Sequence, residues 1–222
     1  GSLYQRALSI TETVLGPDHP DAATIYHNLG GLEHASGNYS RGEPFARHAV
    51  EIREWALGAD HPVVAADVAA LAALLDGQRK YSESEPLYRR ALAIFVRVHG
   101  EVHDEIAVNL NNLAAVYYAQ GKLEQSEPLY RRALAIKEKL LGSSHPDVAV
   151  TLNNLAVFYK SQGQYDQAVP LFQRGLCILE KAFGSEHPQL ATCLDNYARV
   201  LWKMGRTDDA PDSTARAGAI PS

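Results

Sequence analysis

The sequence predicts an all-α solenoid, a stack of helix pairs joined by short turns. Three observations carry that prediction. The chain repeats itself at a fixed interval of 42 residues, each interval holds two amphipathic helical stretches, and no stretch has the strict alternation of a half-buried strand. The phrase LNNLA at 110–114 returns at 152–156, and LYRRALAI at 87–94 returns at 129–136. Single residues keep the same register. Gly16, Gly58, Gly100, Gly142 and Gly184 form one series, and His19, His61, His103, His145 and His187 another. Ile10, Ile52, Ile94, Ile136 and Ile178 form a third. A pair of amphipathic helices cannot bury its apolar face alone, so successive pairs must stack into one continuous core.

The copy beginning at His145 shows why each element forms. Pro146 suits a first helical turn, where its missing N–H costs nothing. Val148, Leu152, Leu155 and Tyr159 follow at steps of four and three with Ala156 beside them, which places them on one helix face. Gly163 ends the helix as a residue that tolerates positive φ. A second apolar face runs through Tyr165, Ala168, Leu171, Phe172, Gly175, Leu176 and Leu179 to Phe183, and Gly184 closes it.

Carried along the chain, the register gives each element in turn. Residues 3–15 form a second helix without its first-helix partner. Residues 20–36 and 39–57 form the next pair, opened by His19–Pro20. Residues 62–78 and 81–99 follow, with Arg79 where the other copies have the turn glycine and Gly77 close by. Residues 104–120 open on Asp104 in place of Pro and pair with 123–141. Residues 146–162 and 165–183 form the fourth pair, and 188–204 is a last first helix. Pro44, Pro86, Pro128 and Pro170 each fall about one turn into a second helix, where a bend near the helix start accommodates them. Gly1 and Ser2 read as an expression scar. Residues 207–222 read as a degenerate or irregular tail, because Ser213, Thr214 and Gly218 occupy its expected apolar positions. The helix at 188–204, bearing Leu201 and Trp202, is therefore expected to show uncovered apolar surface.

These residues resemble tetratricopeptide repeats. In the fourth copy the resemblance rests on Leu152, Leu155, Ala156, Tyr159, Gly163, Tyr165, Ala168, Phe172 and Gly175. The usual period of that family is about 34 residues. A 42-residue form with the linker G-x-x-H-P and the phrase LNNLA is similar to the repeats of kinesin light chains and their bacterial relatives. The resemblance covers about 3–206. It implies a right-handed superhelix whose first helices line a concave groove that holds peptide segments of partner proteins.

Composition excludes other classes. The 222 residues are 46% hydrophobic and 21% charged, an ordinary globular balance. A formal net charge of −5 gives no basic footprint for nucleic acid. No apolar run is long enough to span a bilayer, and a cytoplasmic protein with two reduced thiols, Cys177 and Cys193, is expected. The five recurring histidines read as polar closers of the inter-repeat turn. Packed helices lie about 8–10 Å apart, so equivalent histidines cannot share one metal. Cys177 is equivalent to Ser9, Glu51, Ala93 and Ala135 and is expected to face outward. No nucleophile motif surrounds Cys193, and no glycine-rich phosphate loop occurs. No catalytic residue, cofactor or metal is expected.

A second stripe lies beside the packing stripe of each first helix, and the resemblance makes it the concave one. Along it the expected peptide-binding residues are His27 and His34, Ala69 and Asp76, Asn111 and Tyr118, Asn153 and Lys160, and Asp195 and Arg199. Asn amides there offer paired donors and acceptors suited to an extended backbone. The expected function is a scaffold that binds a protein or peptide partner. The alternative is a structural or self-assembling spacer within a longer multidomain protein, with self-association through the 188–204 helix.

Overall fold

A computed structural model describes residues 2–185 and 187–206. Among them are ten α-helices and no strand. They are α1 (Ser2–Leu15), α2 (Pro20–Ala35), α3 (Tyr39–Leu57), α4 (Pro62–Gly77), α5 (Tyr81–His99), α6 (Asp104–Ala119), α7 (Leu123–Leu141), α8 (Pro146–Ser161), α9 (Tyr165–Phe183) and α10 (Pro188–Lys203). Each helix starts and stops within a residue or so of the register expected from the sequence. The expectation for 207–222 lies outside the described residues. The helices fall into two compact units, one holding α1–α6 and the start of α7, the other the rest of α7 with α8–α10.

The recurring histidines are helix caps. In every copy the His Nδ1 accepts a hydrogen bond from the backbone N–H two residues on: Asp21, Val63, Glu105, Asp147 and Gln189, at 3.2–3.3 Å. That satisfies one of the donors a helix leaves free at its first turn. The ring is held from the preceding second helix in two copies. His99 stacks on His103 at 4.0 Å between centroids, and Phe183 on His187 at 4.2 Å. Phe183 therefore leaves the apolar stripe expected of it and is 46% exposed.

First helices end in the left-handed region at Gly37, Gly121, Gly163 and Gly205, with φ of 69–76°. Arg79 adopts the same conformation at φ 60°, the one non-glycine residue among those described to do so. Gly77 does not substitute for the missing glycine. It is the last residue of α4, and a Cβ there would lie 2.5 Å from the ring of Tyr39. The four second-helix prolines interrupt no helix. All four are exposed, and so are Ser40, Ser82, Glu124 and Asp166, whose carbonyls lose their intrahelical donor.

In the first unit each helix packs against its chain neighbours from α1 to α6, and first helices also touch one another, α2 with α4 and α4 with α6. In the second, α8 packs on α9, α9 on α10, and α8 on α10. The cores follow the repeat. Leu29, Leu71, Leu113, Leu155 and Tyr197 are buried, as are Ile52, Ile94, Ile136 and Ile178. Small residues let paired helices approach: Gly30, Ala72, Ala114 and Ala156 are buried at one register position. Leu201 overturns an expectation. It shares the stripe of Leu190, Leu194 and Tyr197, and like them it is buried; only Trp202, one step around the helix, is open at 66%.

Candidate functional site

The proposed binding stripe is the face that helix packing leaves partly open. On α8, Val148, Leu152, Leu155 and Tyr159 are buried, whereas Val150, Asn153, Val157 and Lys160 are half-buried or exposed. The same division holds on α2, α4, α6 and α10, where no stripe residue is fully buried.

In the first unit the stripe is polar at α2, small at α4 and mixed at α6. Thr24 and His27 are tied to a buried ion pair. The Asp67 side chain is fully buried; both of its oxygens accept from Arg53 Nη1, at 2.8 and 2.9 Å. His27 Nδ1 lies 2.6 Å from Asp67 Oδ1, and Arg53 Nη2 donates to Thr24 Oγ1 at 2.9 Å. A buried carboxylate thereby fixes two side chains at the edge of the open face. Ala66, Ala69 and Ala73 are half-buried and form the shallow part. At the far end of α4, burial pushes the Asp76 carboxyl up, and the nearby His34 opposes that shift. His34 is exposed and packs edge-on against Tyr39, with centroids 5.3 Å apart. On α6, Asn111 and Tyr118 are half-buried, and Asn111 Nδ2 donates to Asn112 Oδ1 at 3.4 Å. Asn112, the second Asn of LNNLA, serves the fold, as hydrogen-bond partner of the buried Tyr88 hydroxyl on α5.

In the second unit the stripe carries charge. Lys160 Nζ donates to Asn196 Oδ1 across to α10 at 2.5 Å. Burial lowers the Lys160 ammonium, and Arg199 lowers it further, against the attraction of Asp195. Arg199 Nε donates to Asp195 Oδ2 at 2.9 Å, an exposed pair one turn apart. Asn153 departs from expectation. Its side chain is half-buried, and its Oδ1 is sealed from water without a hydrogen-bond partner. The structure thus brings together His34 with Asp76 in one unit and Lys160, Asp195 and Arg199 in the other.

The residues that sequence reasoning passed over are Asp67 and Arg53. Both had a signal. Asp67 stands in a column with Ile25, Asn109, Thr151 and Cys193, and Arg53 in one with Phe95, Lys137 and Leu179. Opposite charges at two core positions of adjoining helices mark a buried pair. A second missed feature is the lock between repeats at Glu43 and Glu85. Glu43 accepts from Arg47, Gln78 and Lys80 at 2.7–2.8 Å. Burial alone would raise its carboxyl, but these donors hold it down to about 2. One repeat on, Glu85 accepts from Lys122 at 2.6 Å.

Cys177 is exposed and Cys193 buried, both as free thiols, and burial pushes the Cys193 thiol up to about 12. Among the described residues no helix is long and apolar enough to cross a membrane.

Comparison with known proteins places this geometry. The family model described as Tetratricopeptide repeat matches residues 1–54, 21–97, 63–139, 105–181 and 147–212. The crystal structure of BtubC (BKLC) from P. vanneervenii superposes with a TM-score of 0.77 at 23% identity, over 99% of this chain and 89% of that one. A Podosopora anserina protein of nearly identical TPR-like repeats, named for kinesin light chain, gives 0.73 at 25% identity, over 90% and 95%. The apo form of RapI gives 0.72 at 19% identity, over 91% and 73%. A comparison with curated protein sequences finds no match.

Proposed function

The chain belongs to the tetratricopeptide repeat family, in its 42-residue kinesin light chain-like form, and from that premise we propose that its first-helix stripe holds a peptide segment of a partner protein. The array is a protein-interaction scaffold; the peptide groove is the finer reading. The observation that carries it is the open face of the first helices. The packing stripe of those helices is buried, yet this second stripe stays half-buried or exposed in every copy and is lined mostly by small and polar side chains. Asn153 adds chemistry to shape. Its half-buried amide lies on the open face of α8, and an amide group can donate to and accept from a peptide backbone. At the same time Lys160 and Arg199 offer cationic donors to the occupant's carbonyl or carboxylate groups.

Site-specific photo-crosslinking tests the reading. A benzophenone side chain placed at Tyr118 or Lys160 should capture a peptide selected on the array, and one placed at exposed Pro86 or Pro170 on the second helices should not. Capture from the second helices alone would refute the groove.

A further inference from the structure

We propose that the first linker, 16–19, is a docking site for an arginine side chain of a partner protein, separate from the groove stripe. The argument comes from what the same linker does elsewhere in the chain. At the second linker two arginines clamp the turn. Arg90 donates to the Ala59 carbonyl at 2.7 Å and pairs with Glu54 at 2.5 Å. Arg97 donates to the Asp60 carboxylate at 3.2 Å and to its carbonyl at 3.1 Å. At the fourth linker Arg174 repeats the first of these clamps, donating to the Ser143 carbonyl at 2.9 Å and pairing with Glu138 at 2.5 Å.

The first linker has the acceptors without the arginines. Register puts His48 at the place of Arg90 and Arg174, and Trp55 at the place of Arg97. Pro17 and Asp18 stand where Ala59 and Asp60 stand one repeat later. His48 alone stands between the two carboxylates, 3.7 Å from Asp18 and 3.4 Å from Glu51, and among the described residues no side chain donates to the Pro17 carbonyl. A concavity of about 610 Å³ remains, lined by Leu15, Pro17, Pro20, His48, Ile52 and Trp55 among others. Its rim is acidic, with the side chains of Asp18 and Glu51 79% and 72% exposed. Trp55 is 82% exposed, the most open aromatic ring among the described residues.

This combination fits a guanidinium. Its plane stacks on an indole face, and its fork of donors can meet a carbonyl and a carboxylate together. An aliphatic stem lies against Leu15, Pro17 and Ile52 while the head stays at the rim. The incoming side chain takes the position that Arg97 fills one repeat later, and the negative rim favours its approach.

The peptide Ac-Gly-Arg-Gly-NH2 and its citrulline analogue, which keeps the shape and loses the charge, test this against the whole chain by ¹H–¹⁵N NMR. The arginine peptide should move the Trp55 indole signal and the amides of 16–21 saturably and leave Trp202 still. The citrulline peptide should bind at least about tenfold more weakly. Trp55→Ala and Asp18→Asn should each weaken the arginine peptide at least about threefold. Both side chains are solvent-exposed, so these variants keep the fold. Trp55→Arg should abolish binding, because the chain then closes its own clamp. Equal binding of the citrulline peptide, unchanged binding in either weakened variant, or no saturable shift overturns the proposal. A Trp55 signal that moves with protein concentration alone would assign the site to a second copy and overturn it too.

Discussion

Arg79→Gly should stabilise the protein, and the structure sets the size of the gain. Arg79 sits at φ 60° in the turn after α4, where Gly37, Gly121, Gly163 and Gly205 sit in the other copies. Its amide donates to the Asp76 carbonyl at 2.7 Å and that of Lys80 to the Leu75 carbonyl at 2.9 Å, so the turn is closed whatever the side chain. The Arg79 side chain is exposed, and removing it opens no cavity. A left-handed conformation costs a residue with a Cβ about 1–2 kcal/mol. The added freedom of glycine in the unfolded chain returns about 0.5–1 kcal/mol of that. A net gain of about 0.5–1 kcal/mol remains. Gly163→Ala is the mirror test: its φ is 72° and nothing lies within 4 Å of the added Cβ, so any loss comes from the backbone alone. Urea melts of the two variants against the parent decide the matter. A midpoint that falls or stays fixed for Arg79→Gly, while Gly163→Ala is neutral, would refute the assignment of strain to this turn.

Leu155→Ala should cost about 2–5 kcal/mol by leaving a cavity in a core position that is 2% exposed. Asn153→Ala, two positions away, should change stability by about half a kcal/mol or less, because it deletes a carbonyl that has no partner. Asp67→Asn should cost about 3–5 kcal/mol, since it strands the half-buried Arg53 guanidinium beside a neutral amide; thermal melts check all three. Glu43 gives a pH dependence with a definite sign. Its folded carboxyl is held at about 2, below the unfolded value, so its contribution is complete above about pH 5 and is lost as pH falls toward 2. Acid titration of stability should therefore flatten in that window in Glu43→Gln relative to the parent.

The fold was legible in the sequence because stacking makes the same demand of every copy. A residue that closes a turn or fills a core layer must recur every 42 positions, and the His caps, linker glycines and Leu155 column all do. What did not recur was harder to read. Arg79 looked like a lost glycine excused by Gly77, and only the backbone angle shows that Arg79 carries the strain while Gly77 makes room for Tyr39. Leu201 looked uncovered because register alone does not say what lies over a stripe. The open stripe of the first helices followed from periodicity, since residues about 200° from the packing face cannot also pack. The state of individual groups on it did not. Register makes Asn153 a peptide-binding residue of the stripe, yet its Oδ1 is sealed from solvent and only the rest of the amide stays half-open. The Asp67–Arg53 pair was written in two column departures, and only the buried geometry joins them to Thr24 and His27.

The central claim is that the stripe, and in particular the half-buried Asn153 amide, holds a partner's backbone. The direct measurement is an equilibrium titration by calorimetry of one array-selected peptide against the parent chain, Asn153→Ala and Arg199→Ala, both on the second unit's stripe. The account predicts that each variant melts like the parent yet binds about 0.5–1.5 kcal/mol more weakly, the net worth of one hydrogen bond. Binding that is indistinguishable among the three proteins would contradict it.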